Sequence, residues 1–244
     1  LAILKYGGDR QTDTVLATLD QPLRVRVLLR GRPAQGVTVR WYLDDRGETF
    51  RRTDASGVAS VTWTFGSGSG EKRAFAWLEG VDDASVEFTA TAAPGQPVGL
   101  RGPMQPYATY VDGQVGALSA PLAFDYWAVI ADAHGNIVRG RFEVDWGVTA
   151  GGGSIEPVPA PYQWDPGLYA RHTLGPQEGP NQVTATAPGL PGRPQVIFNA
   201  TGVTTLVKVG HDAFAQDSVA VLAGQTVGWI WATGYDPAFD SDPR

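Results

Sequence analysis

"LRVRVLLRGRPAQGVTVRWYL", Leu23 to Leu43, holds two alternating runs on either side of a turn. In the first run Leu23, Val25, Val27 and Leu29 fall on one side, with Arg24 and Arg26 on the other; in the second Val37, Val39, Trp41 and Leu43 share a side. A period of two places successive side chains on opposite faces of a strand, so both runs read as half-buried β-strands. Gly31 to Gly36, with Pro33 between, is the punctuation that separates them.

The same pattern continues outward. "VASVTWTF", Val58 to Phe65, sets Val61, Trp63 and Phe65 against Ser60, Thr62 and Thr64, and "SVEFTATA" points Val86, Phe88 and Ala90 inward. Further turn signals lie at Asp44 to Gly47, Asp54 to Gly57 and Gly66 to Gly70, the spacing of an antiparallel sandwich. Across 244 residues, 31 Gly and 18 Pro suit many short strands better than helices. The expected fold class is all-β.

An internal repeat with a period of about 100 to 110 residues follows. "DASGVASVTWTFGSGSGEKRAFAWLEG" from Asp54 aligns with "DPGLYARHTLGPQEGPNQVTATAPG" from Asp165, "EFTATA" from Glu87 with "IFNATG" from Ile197, and Trp41 with Trp146. This predicts one sandwich over residues 1–93 and a second, divergent one over 107–203. Residues 94–106, rich in proline and glycine, read as a linker that cannot continue a central strand. "EPVPAPYQWDP", within the second repeat, reads as an elaborated loop in which Tyr162 and Trp164 either form a contact surface or fold back over an open sandwich end.

Composition excludes several functions. A net charge of −6 offers no basic face to nucleic acid or a bare anionic membrane, and with no cysteine there is no disulfide, thiolate metal site or thiol nucleophile. No apolar run approaches the roughly 20 residues that span a bilayer. "LAILKYGGDR" has no signal-peptide features, so any leader or anchor is expected to lie outside this sequence.

The motifs "GDRQ", "PLRVRV", "GVTVRW", "TDASGVASVTW" and "FTATA" resemble the bacterial immunoglobulin-like repeats of the invasin and intimin type, the Big-1 domains. The likeness is dense over residues 5–92 and looser over 107–203. It implies a β-sandwich used as an exported spacer or adhesive module, acting on protein partners with no catalytic residues and no cofactor. Residues 204–244, with "SVAVLAGQTVGWIWATG", resemble the opening strands of a cupredoxin. That family carries its first copper-binding histidine in the turn where Tyr235 and Asp236 stand here, and its cysteine ligand has no counterpart. The resemblance implies an accessory subunit on the periplasmic or outer face of a membrane electron-transfer complex, or a redox protein whose copper-binding half lies outside this chain.

Candidate chemistry is sparse. His134 reads as part of a hairpin turn, His172 as part of a strand, and His211 as lying away from the cupredoxin ligand position; the three show no triad spacing. Asp44 and Asp45, Asp82 and Asp83, and Asp236, Asp240 and Asp242 lack calcium-loop spacing and read as solvated turns. "GSGSGEK" and "GGGS" precede no helix and read as hairpin tips. The expected interaction surface is Tyr162, Trp164, Tyr235 and Phe239. A carbohydrate-binding module, with Tyr162, Trp164 and Trp231 as a sugar-stacking platform, is the alternative.

Overall fold

A computed structural model describes residues 1–81, 84–102, 114–117, 123–160, 167–209 and 222–231, and among these every regular element is a strand. The chain divides into a first unit, Leu1–Gln96 with Asp132–Asn136, and a second, Pro97–Ala131 with Ile137–Arg244.

The first unit holds β1 (Ala2–Gly7), β2 (Gln11–Thr14), β3 (Leu23–Leu29), β4 (Arg32–Pro33), β5 (Thr38–Leu43), β6 (Gly47–Arg52), β7 (Val58–Val61), β8 (Gly70–Leu78) and β9 (Ser85–Ala93). One sheet centres on β3, which pairs with β1, β4 and β7; the other runs β2-β9-β8-β5-β6. Leu23, Val25 and Val27 from one sheet, and Val39, Trp41, Leu43 and Phe88 from the other, form one buried core. The alternation that defined the two opening strands is thus the inward face of two different sheets. Leu29, grouped with the inward set by its spacing, is 53% exposed at the end of β3. The regular strand read over Val58 to Phe65 stops at Val61, after which the chain crosses to residues 17–19: Leu19 N donates to Trp63 O (2.9 Å) and Phe65 N to Ala17 O (2.9 Å). The burial alternation survives the crossing, since Trp63 and Phe65 are both fully buried.

The second unit holds β10 (Gly99–Arg101), β11 (Gln114–Ala117), β12 (Ala123–Ala131), β13 (Asp145–Ala150), β14 (Gly153–Val158), β15 (Leu168–Leu174), β16 (Gly179–Thr186), β17 (Gln195–Val203), β18 (Thr205–Val209) and β19 (Val227–Trp231). Its sheets run β10-β12-β15-β14 and β11-β17-β16-β13, with β18 and β19 as a separate parallel pair. Tyr126, Ile130, Val183 and Phe198 lie in the core, and Trp146 packs against it.

The repeat shows in the packing. Trp41 meets Phe88 at 5.7 Å between ring centroids, and Trp146 meets Phe198 at 5.7 Å. In each unit a short early strand pairs in parallel with the last long one, β2 with β9 and β11 with β17. The units differ in the strand after the tryptophan strand: β6 pairs with β5, whereas β14 pairs with β15 in the opposite sheet.

Two loop expectations give way to strands. The 94–106 stretch contains β10, an edge strand whose Leu100 enters the second core; proline and glycine are tolerated there because an edge leaves one side of the backbone unpaired. Glu156, Pro157 and Val158 of the elaborated loop belong to β14, also an edge, where the missing N–H of Pro157 breaks no continuous ladder. "GGGS", read as a hairpin tip, instead turns the chain from β13 in one sheet to β14 in the other, with Gly151, Gly152 and Gly153 all at positive φ. A side chain at Gly153 would meet the carbonyl oxygen of Thr173.

Candidate interaction face

The aromatic positions singled out by sequence, Tyr162, Trp164, Tyr235 and Phe239, lie outside the described residues, as do His211 and the acidic positions Asp82, Asp83, Asp236, Asp240 and Asp242. Trp231 is placed on β19.

A different aromatic group forms on the first unit, and its origin is a size match inside the core. Trp41 on β5 pairs directly with Ala76 on β8, and Leu43 with Ala74. Both alanines are fully buried, because the indole and leucine opposite leave room only for methyl groups. With Ala74 and Ala76 facing in, period two obliges Phe75 and Trp77 to face out. On the neighbouring strands Arg40 and Tyr42 of β5, and Glu48 and Phe50 of β6, share that outer face.

The result is two rows running across the strands. One reads Phe50, Arg40, Trp77, Ser85; the next reads Glu48, Tyr42, Phe75, Glu87. Phe75 and Trp77 stack at 5.8 Å with an 18° interplanar angle, and the Arg40 guanidinium lies 5.8 Å from the Trp77 ring. Arg40 also pairs with Glu48, and Arg73 with Glu71 (3.0 Å) and Glu87 (3.2 Å). Tyr42 is 39% and Phe50 51% exposed. Such a surface, aromatic with arginine at its centre and charges around it, has the composition of a protein contact hot spot.

The second unit builds the same framework without the aromatics. Trp146 pairs with Ala185 as Trp41 does with Ala76, which makes Thr184 and Thr186 the positional equivalents of Phe75 and Trp77. Thr149, Thr184, Gln182 and Asn199 hydrogen-bond across that outer face. The fold therefore does not demand rings at Phe75 and Trp77. The signal was present in "AFAWL", small residues alternating with large ones, but its phase is set by Trp41 on another strand.

His172, Asp132, Asp44 and Asp45 are engaged in contacts within the fold. His172 on β15 is fully buried beside Tyr126, whose hydroxyl lies 3.4 Å from Nδ1. Burial pushes its pKa down, and the Gly152 backbone counteracts this only in part. Asp132, in the "DAHGN" turn with His134, accepts from the amides of Gly95 (2.8 Å), His134 (2.8 Å) and Asn136 (2.9 Å) and from Asn136 Nδ2 (2.8 Å). Burial works to raise its pKa, but these hydrogen bonds outweigh it and hold the carboxyl well below its ordinary range. In that turn only Gly135 takes positive φ. Asp44 and Asp45, read as solvated, instead accept from Arg73 N (2.8 Å) and Gly66 N (3.1 Å), and Asp45 pairs with Lys72 (2.9 Å). Among the described residues no three carboxylate or imidazole groups converge on a metal position, and no helix is long and apolar enough to cross a membrane.

No family model matches the chain, and no curated protein sequence matches it. Solved structures are similar in fold. Invasin, a bacterial integrin-binding protein, matches at 19% identity with a TM-score of 0.36, over 83% of this chain and 40% of that one. InvD of Yersinia pseudotuberculosis matches at 16% with a TM-score of 0.48, over 83% and 57%. FdeC, an Escherichia coli adhesin, matches at 14% with a TM-score of 0.37, over 82% and 63%. The chain thus spans less than two thirds of each, and the likeness is one of all-β, immunoglobulin-like architecture.

Proposed function

We propose that the chain is an exported, non-enzymatic immunoglobulin-like scaffold that binds other proteins through the outer face of the first unit's five-stranded sheet. The observation that carries this reading is the outward-facing group of exposed Tyr42 and Phe50 with half-buried Phe75 and Trp77 around Arg40, on a framework that the second unit builds with threonines. Exposed aromatic side chains are costly to leave in water without a partner, and Tyr, Trp and Arg dominate contact energetics. Within that group Trp77 packs beside the Phe75 ring and the Arg40 guanidinium, which holds its indole in place on the face.

Chemical cross-linking on intact source cells tests the reading. The wild-type chain should give a cross-linked species that falls at least fivefold in a Tyr42→Ser, Phe50→Ser double variant of unchanged folding; an unaltered pattern would refute it. The narrower role, an accessory subunit of a membrane electron-transfer complex, rests on the cupredoxin-like sequence of 204–244. Co-migration of native protein with such a complex supports it, and migration only as the free chain counts against it.

A further inference from the structure

Resting on that reading, we infer that the partner of this face is a second copy of the same chain, bound about a two-fold axis that crosses the strands between the two aromatic rows. The argument begins with charge. The chain carries −6 overall, which repels like copies at most approaches. On the outer face of this sheet, by contrast, three guanidinium groups, Arg40, Arg52 and Arg73, stand among four carboxylates, Glu48, Glu71, Glu87 and, at the end of β8, Glu79 beside Arg40. This face is close to balanced on an acidic protein, with opposite charges interspersed, so a second copy meets little net repulsion here.

The order of residues makes the face complementary to itself. A two-fold contact requires that residue i of one copy meet residue j of the other and the converse. On three adjacent strands the two rows supply such pairs two residues apart: Phe50 and Glu48 on β6, Arg40 and Tyr42 on β5, Trp77 and Phe75 on β8. An axis between the rows lays the Arg40 row of one copy over the Tyr42 row of the other. Arg40 then covers the other copy's Tyr42, with Glu48 of that copy one strand away, and Trp77 covers Phe75. The row bearing the cation meets the row bearing two carboxylates, Arg40 meets the Tyr42 ring and Trp77 meets Phe75, while Phe50 at the sheet edge lies over the stem of Glu48. Two sheets face to face at a small angle is also the ordinary geometry of sheet packing.

The contact is small. Four strands about 4.8 Å apart, with a rise of about 3.4 Å per residue, present roughly 400 Å² per copy, against about 800 Å² per partner for a stable complex. Isolated chains should therefore pair weakly, with dissociation constants on the order of 0.1 mM, and arrayed chains more strongly through effective concentration.

Sedimentation velocity of the full chain between about 5 µM and 500 µM in low salt tests the assignment. The expected result is a shift from monomer to dimer, lost in Arg40→Glu and in Glu48→Arg, and restored in the Arg40→Glu, Glu48→Arg double variant, where exchanged charges meet again across the axis. Urea unfolding of each variant controls for folding. Monomer at every concentration overturns the inference, as does a dimer indifferent to the single reversals or one not restored by the double. If the cross-linked species on cells contains only a different protein and still depends on Tyr42 and Phe50, the second-copy assignment falls while the protein-binding reading stands. If no cross-link depends on the face, both fall.

Discussion

Phe88 and Phe50 belong to one five-stranded sheet and face opposite ways, so truncating each to alanine measures the assignment of faces directly. Phe88 on β9 is fully buried and packs 5.7 Å from Trp41. Removing a buried phenyl group withdraws on the order of 150 Å² of apolar surface, which at about 25 cal/mol/Å² is about 4 kcal/mol, within the range of about 3–5 kcal/mol seen when a cavity is left behind. In a domain of about 100 residues each kcal/mol moves the melting temperature by about 4–8 °C, so Phe88→Ala should lower it by roughly 15–30 °C. Phe50 on edge strand β6 is 51% exposed, and neighbouring side chains and water close over the gap. Its truncation should cost no more than about 1 kcal/mol. Scanning calorimetry, supported by urea unfolding followed through tryptophan fluorescence, reads both values. Phe198→Ala provides the matched truncation for the second unit, since Phe198 is buried against Trp146. Equal losses for Phe50→Ala and Phe88→Ala would refute the placement of Phe50 on a solvent face, and with it the candidate interaction face.

Three further outcomes are expected. Because the Asp132 pKa is depressed in the folded protein, its contribution to stability is present above about pH 4 and lost as pH falls through that value toward the folded pKa. Asp132→Asn puts a donor among donors: it should cost about 1.5–3 kcal/mol at pH 7 and flatten the acid limb of the stability profile in urea titrations. His172 is also depressed, so the folded state resists its protonation and stability falls as pH drops below about 6.5; His172→Phe should weaken that fall, read by the melting temperature at pH 7 and pH 5. Gly153→Ala combines positive φ with a clash against Thr173 and should cost about 2 kcal/mol or more, whereas Gly192→Ala, with positive φ and open space, should cost about 1 kcal/mol; paired urea curves separate them.

Much of the fold was legible because it rests on local alternation. Leu23, Val25 and Val27, then Val39, Trp41 and Leu43, are buried as their spacing requires. The repeat was equally legible, down to the ring pairs of Trp41 with Phe88 and Trp146 with Phe198. Less legible were features decided by non-local pairing. Nothing within "GETFRR" and "GSIEPV" says that one strand joins β5 and the other β15, because edge strands carry weak patterns. Turn carboxylates read as solvated for a similar reason: Asp44 finds the Arg73 amide 29 positions away in sequence. The aromatic outer face was not read from the sequence because "AFAWL" has two possible phases, and only Trp41 across the ladder selects the one with the rings outside.

The different allegiance of β6 and β14 has a consequence for valency. In the first unit, β6 widens the tryptophan sheet and contributes Phe50 and Glu48 to its outer surface. In the second, the corresponding strand leaves for the other sheet, and the surface beside Trp146 is lined by Thr149, Thr184 and Gln182. Only one such aromatic surface arises among the described residues, although the sandwich is repeated. A two-fold contact used once per chain is satisfied by a single mate and stops there. Had both repeats carried it, each chain would have two sticky ends, and association would run on into polymers instead of closing at a pair.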